Sequence, residues 1–151
     1  MKPSKFFTEE EKESIKEAIA EAELNTSGEI RVHIEGVCAD NVLDRAAYVF
    51  NKLAMHKTEQ RNGVLFYLAV NDRKFAILGD AGINKVTPAN FWENIKQTMS
   101  GYFKENKFAE GLISGIKMAG EKLKAHFPYK KDDINELPDD ISFGQDGFDT
   151  I

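Results

Sequence analysis

Six oxygen-bearing side chains offer the clearest chemistry in this 151-residue sequence: Glu29, Asp80, Asp132, Asp133, Asn135 and Glu136. Carboxylates gathered in one place repel unless something neutralises them, and a hard divalent cation does so through oxygen ligands. Calcium suits such a set best, since it accepts roughly six to eight oxygens in irregular geometry; magnesium is the alternative. Asn135, backbone carbonyls and water would complete the shell. The acids are far apart in the chain, so the expectation depends on the elements that carry them.

Those elements can be read in order. Thr8 and Glu11 make a capping-box pair, and Ile15, Ala18, Ile19 and Ala22 recur at helical spacing until Asn25-Thr26-Ser27-Gly28 ends the first helix. Alternation over 29–35 predicts a strand, with Ile30, Val32 and Ile34 on one side and Arg31, His33 and Glu35 on the other. Asp40 or Asn41 can cap a second helix whose inward face is Leu43, Ala47, Phe50 and Ala54, with Leu53 beside it. The unbroken apolar run Val64 to Val70 reads as a strand covered on both faces. Strand, helix, strand is a crossover, so these two strands should be parallel. Asn71-Asp72-Arg73 then turns the chain into an antiparallel third strand over 74–78.

Thr87-Pro88 predicts the start of a third helix with the stripe Phe91, Ile95, Met99 and Tyr102. A fourth, from about Lys107 to Ala125, buries Phe108, Leu112, Ile116, Ala119 and Leu123, with Gly111 and Gly115 permitting close packing. Pro128 stops it. The tail beyond is acidic, yet Ile134, Leu137, Ile141 and Phe143 are interleaved with the acids. Those anchors predict that 134–143 docks on the domain as an added strand, leaving 144–151 mobile. The reading is a single α/β domain over 1–143, built on a small mixed sheet of three to four strands.

Chain direction now brings the acids together. The two parallel strands begin at one end of the sheet, at Glu29 and Asn62, and the third strand returns there with Gly79-Asp80. An antiparallel pair of helices delivers the tail to the same end. An ion held there would order the tail and the neighbouring loops together. The tail is not an EF-hand, because Leu137 falls where an oxygen ligand is needed. A second acidic set, Glu35, Asp40, Asp44 and Asp72, belongs to the opposite end, where ligands of open α/β sheets usually bind. Asp40 also serves there as a cap and Asp72 as a turn residue.

Composition narrows the function classes. Hydrophobic residues make up 42% and charged residues 30%, a globular balance. A net charge of -5 argues against nucleic acid and favours cations or basic partners. The single cysteine, Cys38, rules out an internal disulfide and reads as an inert thiol. No secretory signal opens the sequence, and no apolar run approaches the roughly 20 residues of a membrane helix, so the expected location is the cytoplasm, with no membrane partner. Nucleophilic catalysis has little to stand on: no histidine can be placed beside Ser27, and no Gly-x-Ser-x-Gly elbow is present. His56 and His126 read as helix C-terminal residues, and His33 as a surface or subsurface polar group.

Several stretches together resemble the TPM-domain family, in particular its short, stand-alone, Bacteroidetes-like bacterial members. They are Thr26-Ser27-Gly28-Glu29-Ile30, Met55-His56-Lys57-Thr58, Arg61-Asn62-Gly63-Val64-Leu65, Asp72-Arg73, Gly79-Asp80-Ala81-Gly82-Ile83, Phe91-Trp92 and Asn135-Glu136-Leu137-Pro138-Asp139. The resemblance implies a three-layer α/β/α sandwich. It also brings calcium binding and acid phosphatase activity, both associated with plant relatives. The leading expectation is a divalent-cation-binding module, metal-responsive and able to engage an as yet unidentified protein partner. The alternative is a metal-dependent acid phosphatase acting on phosphomonoesters, with the ion activating water or holding a phosphoryl oxygen.

Overall fold

The computed structural model describes residues 2–129 and 141–144. Pro3–Phe6 form a short helix, α1, and Glu9–Glu23 form α2, which starts with both bonds of the Thr8–Glu11 capping box. Strand β1 is Glu29–Glu35 and helix α3 is Val42–Lys52; a single 3₁₀ turn, Met55–Lys57, then leads to β2, Gly63–Ala69. Strand β3 is Lys74–Gly79, followed by the four-residue helix α4, Ala81–Asn84. Helices α5, Glu93–Lys104, and α6, Phe108–His126, precede the last strand, β4, Ile141–Phe143.

The sheet order is β3-β2-β1-β4. β1 runs parallel to both β2 and β4, while β2 and β3 are antiparallel. The parallel crossover and the returning hairpin are as the sequence predicts, and the tail does contribute a strand. One face of the sheet packs Ile30, Val32, Val64 and Phe66 against α2, α5 and α6. The other packs Leu65, Tyr67 and Ala69 under Ala46, Val49 and Phe50 of α3. These are the three layers, and the Val64 to Val70 run is continuous because β2 has apolar neighbours on both sides.

Glycines let α5 and α6 approach. A Cβ on Gly111 would lie 2.7 Å from the Phe103 ring, and one on Gly115 2.5 Å from the Met99 sulfur. Neither would fit at this spacing.

Some expectations shift. Asn41, not Asp40, caps α3, accepting from the amides of Leu43 and Asp44. The buried face of α3 is Ala46, Val49 and Phe50; Leu43 is 49% exposed, and Ala54 lies past the helix at φ 57°. Thr87-Pro88 does not open α5, which begins at Glu93; the Thr87 hydroxyl instead donates to the Ile83 carbonyl at 2.8 Å, closing the turn after α4. Gly144 is not a free end, since its N–H donates to Ile34 O at 2.9 Å. Residues 145–151 lie outside the described residues, as do the anchors Ile134 and Leu137.

Candidate functional site

At the amino end of the parallel strands, three loops meet around Gly63. Glu29 pairs with Gly63 in the β1–β2 register, and its N–H donates to Asn62 O at 3.3 Å. On the other side of β2, the Asp80 N–H donates to Gly63 O at 3.0 Å. Glu29 and Asp80 are therefore at one end of the sheet, flanking the same residue, and both are buried. The Asn62 side-chain amide donates to Ser27 O at 3.2 Å, and Gln60 Nε2 donates to Ser27 Oγ at 3.2 Å, tying the loop before β1 to the loop before β2. Gly82 is fixed by this packing: a Cβ there would lie 2.1 Å from Gln60 O and 2.6 Å from Arg61 O.

The end of α6 reaches the same place. The Ser27 N–H donates to Phe127 O at 2.8 Å, the Thr26 hydroxyl donates to the same oxygen, and Thr26 bridges Pro128. The chain therefore enters its acid-rich segment beside Ser27 and rejoins the sheet at Ile141, opposite Val32. Where β4 has not yet begun, the Glu23 carboxylate accepts from the Ile30 N–H at 2.7 Å in place of a strand partner. Asp132, Asp133, Asn135 and Glu136 lie outside the described residues.

Asp80 already has counter-charge. Arg61 Nε donates to its Oδ2 at 2.8 Å and a terminal guanidinium nitrogen to its Oδ1 at 2.9 Å, while Ala81 N–H donates to Oδ1 at 2.7 Å. Such a two-pronged Arg–carboxylate contact fixes geometry as well as charge. The Arg61 side chain is 50% exposed, however, so solvent screens most of what the pair contributes. Among the described residues, no group of three or more His, Cys, Asp or Glu side chains is arranged to hold a metal ion.

The second acidic set does not assemble. Asp40 and Asp44 are exposed. Asp72 is a turn residue whose Oδ2 accepts from Cys38 N–H at 2.7 Å. Cys38 is buried, its thiol directed to Asp40 O at 3.3 Å. Glu35 is fully buried within a network of its own.

That network was not foreseen. His33 is not near the surface but fully buried, because β4 lies outside β1 and makes it an interior strand. Its Nε2 is 3.0 Å from Glu35 Oε1, and its Nδ1 is 2.9 Å from Ser142 Oγ on β4. Arg45 of α3 reaches both Glu35 oxygens, at 2.7 and 3.0 Å, and the Tyr67 hydroxyl donates to Oε2. Burial alone would push the Glu35 carboxyl up, but bonds from His33, Arg45 and Tyr67 outweigh it and hold it at about 2. Burial also holds the His33 imidazole below its ordinary value, the Glu35 contact offsetting only part. His33 is thus neutral: Nε2–H donates to Glu35, and Nδ1 accepts from the Ser142 hydroxyl. Burial, then the bond to Glu35, raises the Tyr67 hydroxyl. His33, Glu35 and Tyr67 each hold one protonation state near neutrality and are buried, so the network fixes packing between β1, β2, α3 and β4. The polar alternation Arg31-His33-Glu35 was its one visible signal in the sequence.

The model of the TPM domain matches residues 1–122. No curated protein in the comparison matches the chain. Among solved structures, the BA42 protein of the psychrophilic bacterium Bizionia argentinensis is 49% identical, with a TM-score of 0.88 over 93% of this chain and 97% of that one. The N-terminal domain of a protein from P. gingivalis is 15% identical, with a TM-score of 0.64 over 82% of this chain and 80% of that one. The N-terminal domain of cg2496 from Corynebacterium glutamicum is 9% identical, with a TM-score of 0.62 over 90% and 80%. The last two share the fold alone. No helix among the described residues is long and apolar enough to cross a membrane. With the family model spanning most of its length, the chain belongs to the TPM-domain family.

Proposed function

We propose that the protein is a cytoplasmic divalent-cation-binding module, with calcium as the preferred ion and magnesium as the alternative. The ligands come from Glu29, Asp80 and the acid-rich segment carrying Asp132, Asp133, Asn135 and Glu136. The observation that supports this reading is the shared anchoring: Glu29 and Asp80 flank Gly63, and the chain leaves for that segment beside Ser27 and returns opposite Val32. An ion entering there takes over the role of Arg61 as counter-charge to Asp80. Because Arg61 is half exposed, its guanidinium can swing into water at small cost. Binding would then couple the order of the acid-rich segment to the loops at 26–29, 60–63 and 79–82, presenting a metal-dependent surface to a protein partner.

Amide spectra recorded through a calcium titration and a magnesium titration test the reading. Saturable shifts are expected at Ser27 to Glu29, Arg61 to Gly63, Gly79 to Gly82 and residues 132–136. They should weaken in Asp80→Asn and in the triple change Asp132→Asn, Asp133→Asn, Glu136→Gln. If these signals stay still at about 10 mM metal, a concentration at which even a weak site of about 1 mM would be mostly filled, the proposal fails.

A further inference from the structure

A cavity of about 250 Å³ opens at the other end of the sheet, where β2 passes into β3 beside the junction of α5 and α6. Its wall is aromatic. Phe75 meets Phe103 edge-on with ring centroids 5.0 Å apart, and Phe103 stacks on Phe108 at 5.5 Å. Gly111 makes room for this arrangement, since its missing Cβ would sit 2.7 Å from the Phe103 ring. Leu68 and Val70, from the carboxyl end of β2, also line the space. Strand carboxyl ends are the usual ligand end of an open α/β sheet.

The charged residues at this cavity are all cationic: Arg73, Lys74 and Lys104, with no acid among the lining residues, in a chain whose net charge is -5. Lys74 is engaged, donating to Cys38 O at 3.1 Å. Arg73 and Lys104 are exposed, and among the described residues neither is paired with a carboxylate. The volume falls below the roughly 300 Å³ at which pockets for drug-sized ligands begin, so the occupant has a single ring and a short arm.

We propose that this cavity binds a small aromatic carboxylate, with its ring against Phe75, Phe103 and Phe108 and its carboxylate at Arg73 and Lys104. Aromatic rings favour edge-to-face and offset contacts with an entering ring, and guanidinium is a good match for a carboxylate. The site is at the opposite end of the sheet from Glu29 and Asp80, so it stands or falls independently of cation binding.

The test is an amide-detected titration of the full chain with 3-phenylpropionate, in chelator-treated buffer. Saturable shifts are expected at 68–75 and 103–108. Affinity should fall by about threefold to fivefold in the Arg73→Gln, Lys104→Gln double variant and for the neutral 3-phenyl-1-propanol, the upper part of the loss expected from an exposed charge contact. Lys104→Gln alone carries the test should the double variant lose its native spectrum. Absence of saturation overturns the proposal, as does equal binding by the alcohol or by the charge variant. Hexanoate binding as tightly as 3-phenylpropionate overturns the aromatic assignment.

Discussion

His33 and Tyr67 face each other in the parallel register of β1 and β2, with rings 6.1 Å apart at centroid and 13° from coplanar, and both donate to the same carboxylate, Glu35. Two neutral donors and one guanidinium thus surround a fully buried anion. The three donors do not compete, because Glu35 has two oxygens and Arg45 spans both.

Removing Arg45 should therefore be costly. Arg45→Ala leaves Glu35 buried without its cation, and breaking such a pair from one side typically costs about 3–5 kcal/mol. Urea unfolding should show a lower midpoint at unchanged slope. A loss below about 1 kcal/mol would mean the carboxylate finds water or another donor.

Acid should weaken the fold through the same residues. The His33 imidazole is depressed below 6.5 in the folded chain, and the Glu35 carboxyl is lowered from 4.5 to about 2. Below about pH 6.5 the unfolded chain therefore binds more protons than the folded one, so stability falls as pH falls. Glu35 contributes a loss of order 3 kcal/mol, developing from about pH 4.5 and complete only below about pH 2. Chemical unfolding at a series of pH values measures this, and Glu35→Gln should flatten the lower part of the curve.

Much of this molecule can be read before folding it. The parallel crossover follows from strand, helix, strand, and the docked tail from Ile141 and Phe143 among acids. The α3 face is harder to read, because Leu43 is more apolar than Ala46 and yet lies outside; contact with Leu65, Tyr67 and Ala69 of the sheet selects Ala46, Val49 and Phe50, and only the folded backbone selects Asn41 over Asp40 as cap. The Glu29–Asp80 convergence needed only strand direction. Arg61 was invisible as the Asp80 partner, since no periodicity links a residue at φ 51° in one loop to a cap in another.

Two glycines should respond oppositely to alanine. Gly82→Ala drives a methyl into the carbonyls of Gln60 and Arg61, a backbone clash expected to cost about 2 kcal/mol or more. Gly101, inside α5, has nothing within 4 Å of an added Cβ, so Gly101→Ala should stabilise by about 0.5–1 kcal/mol. Thermal melts of the two variants beside the parent decide the matter.

Arg61→Gln gives a sharper view of the cation proposal than removing an acid does. Freed of its guanidinium, Asp80 should bind calcium more tightly, by up to about fivefold, the most that an exposed ion pair contributes. Calorimetric titration would read this directly. Unchanged affinity would remove Asp80 from the ligand set.

The bond between His33 and Ser142 spans 109 positions of the chain. A ribosome therefore releases β1 long before the strand that covers its outer edge, and the polar side chains of β1 wait, hydrated, until Ile141–Phe143 arrive. Contacts this distant in sequence slow folding. The native sheet can close only once Ile141–Phe143 have emerged, which makes this edge a late step of assembly and leaves nascent β1 open and in need of protection.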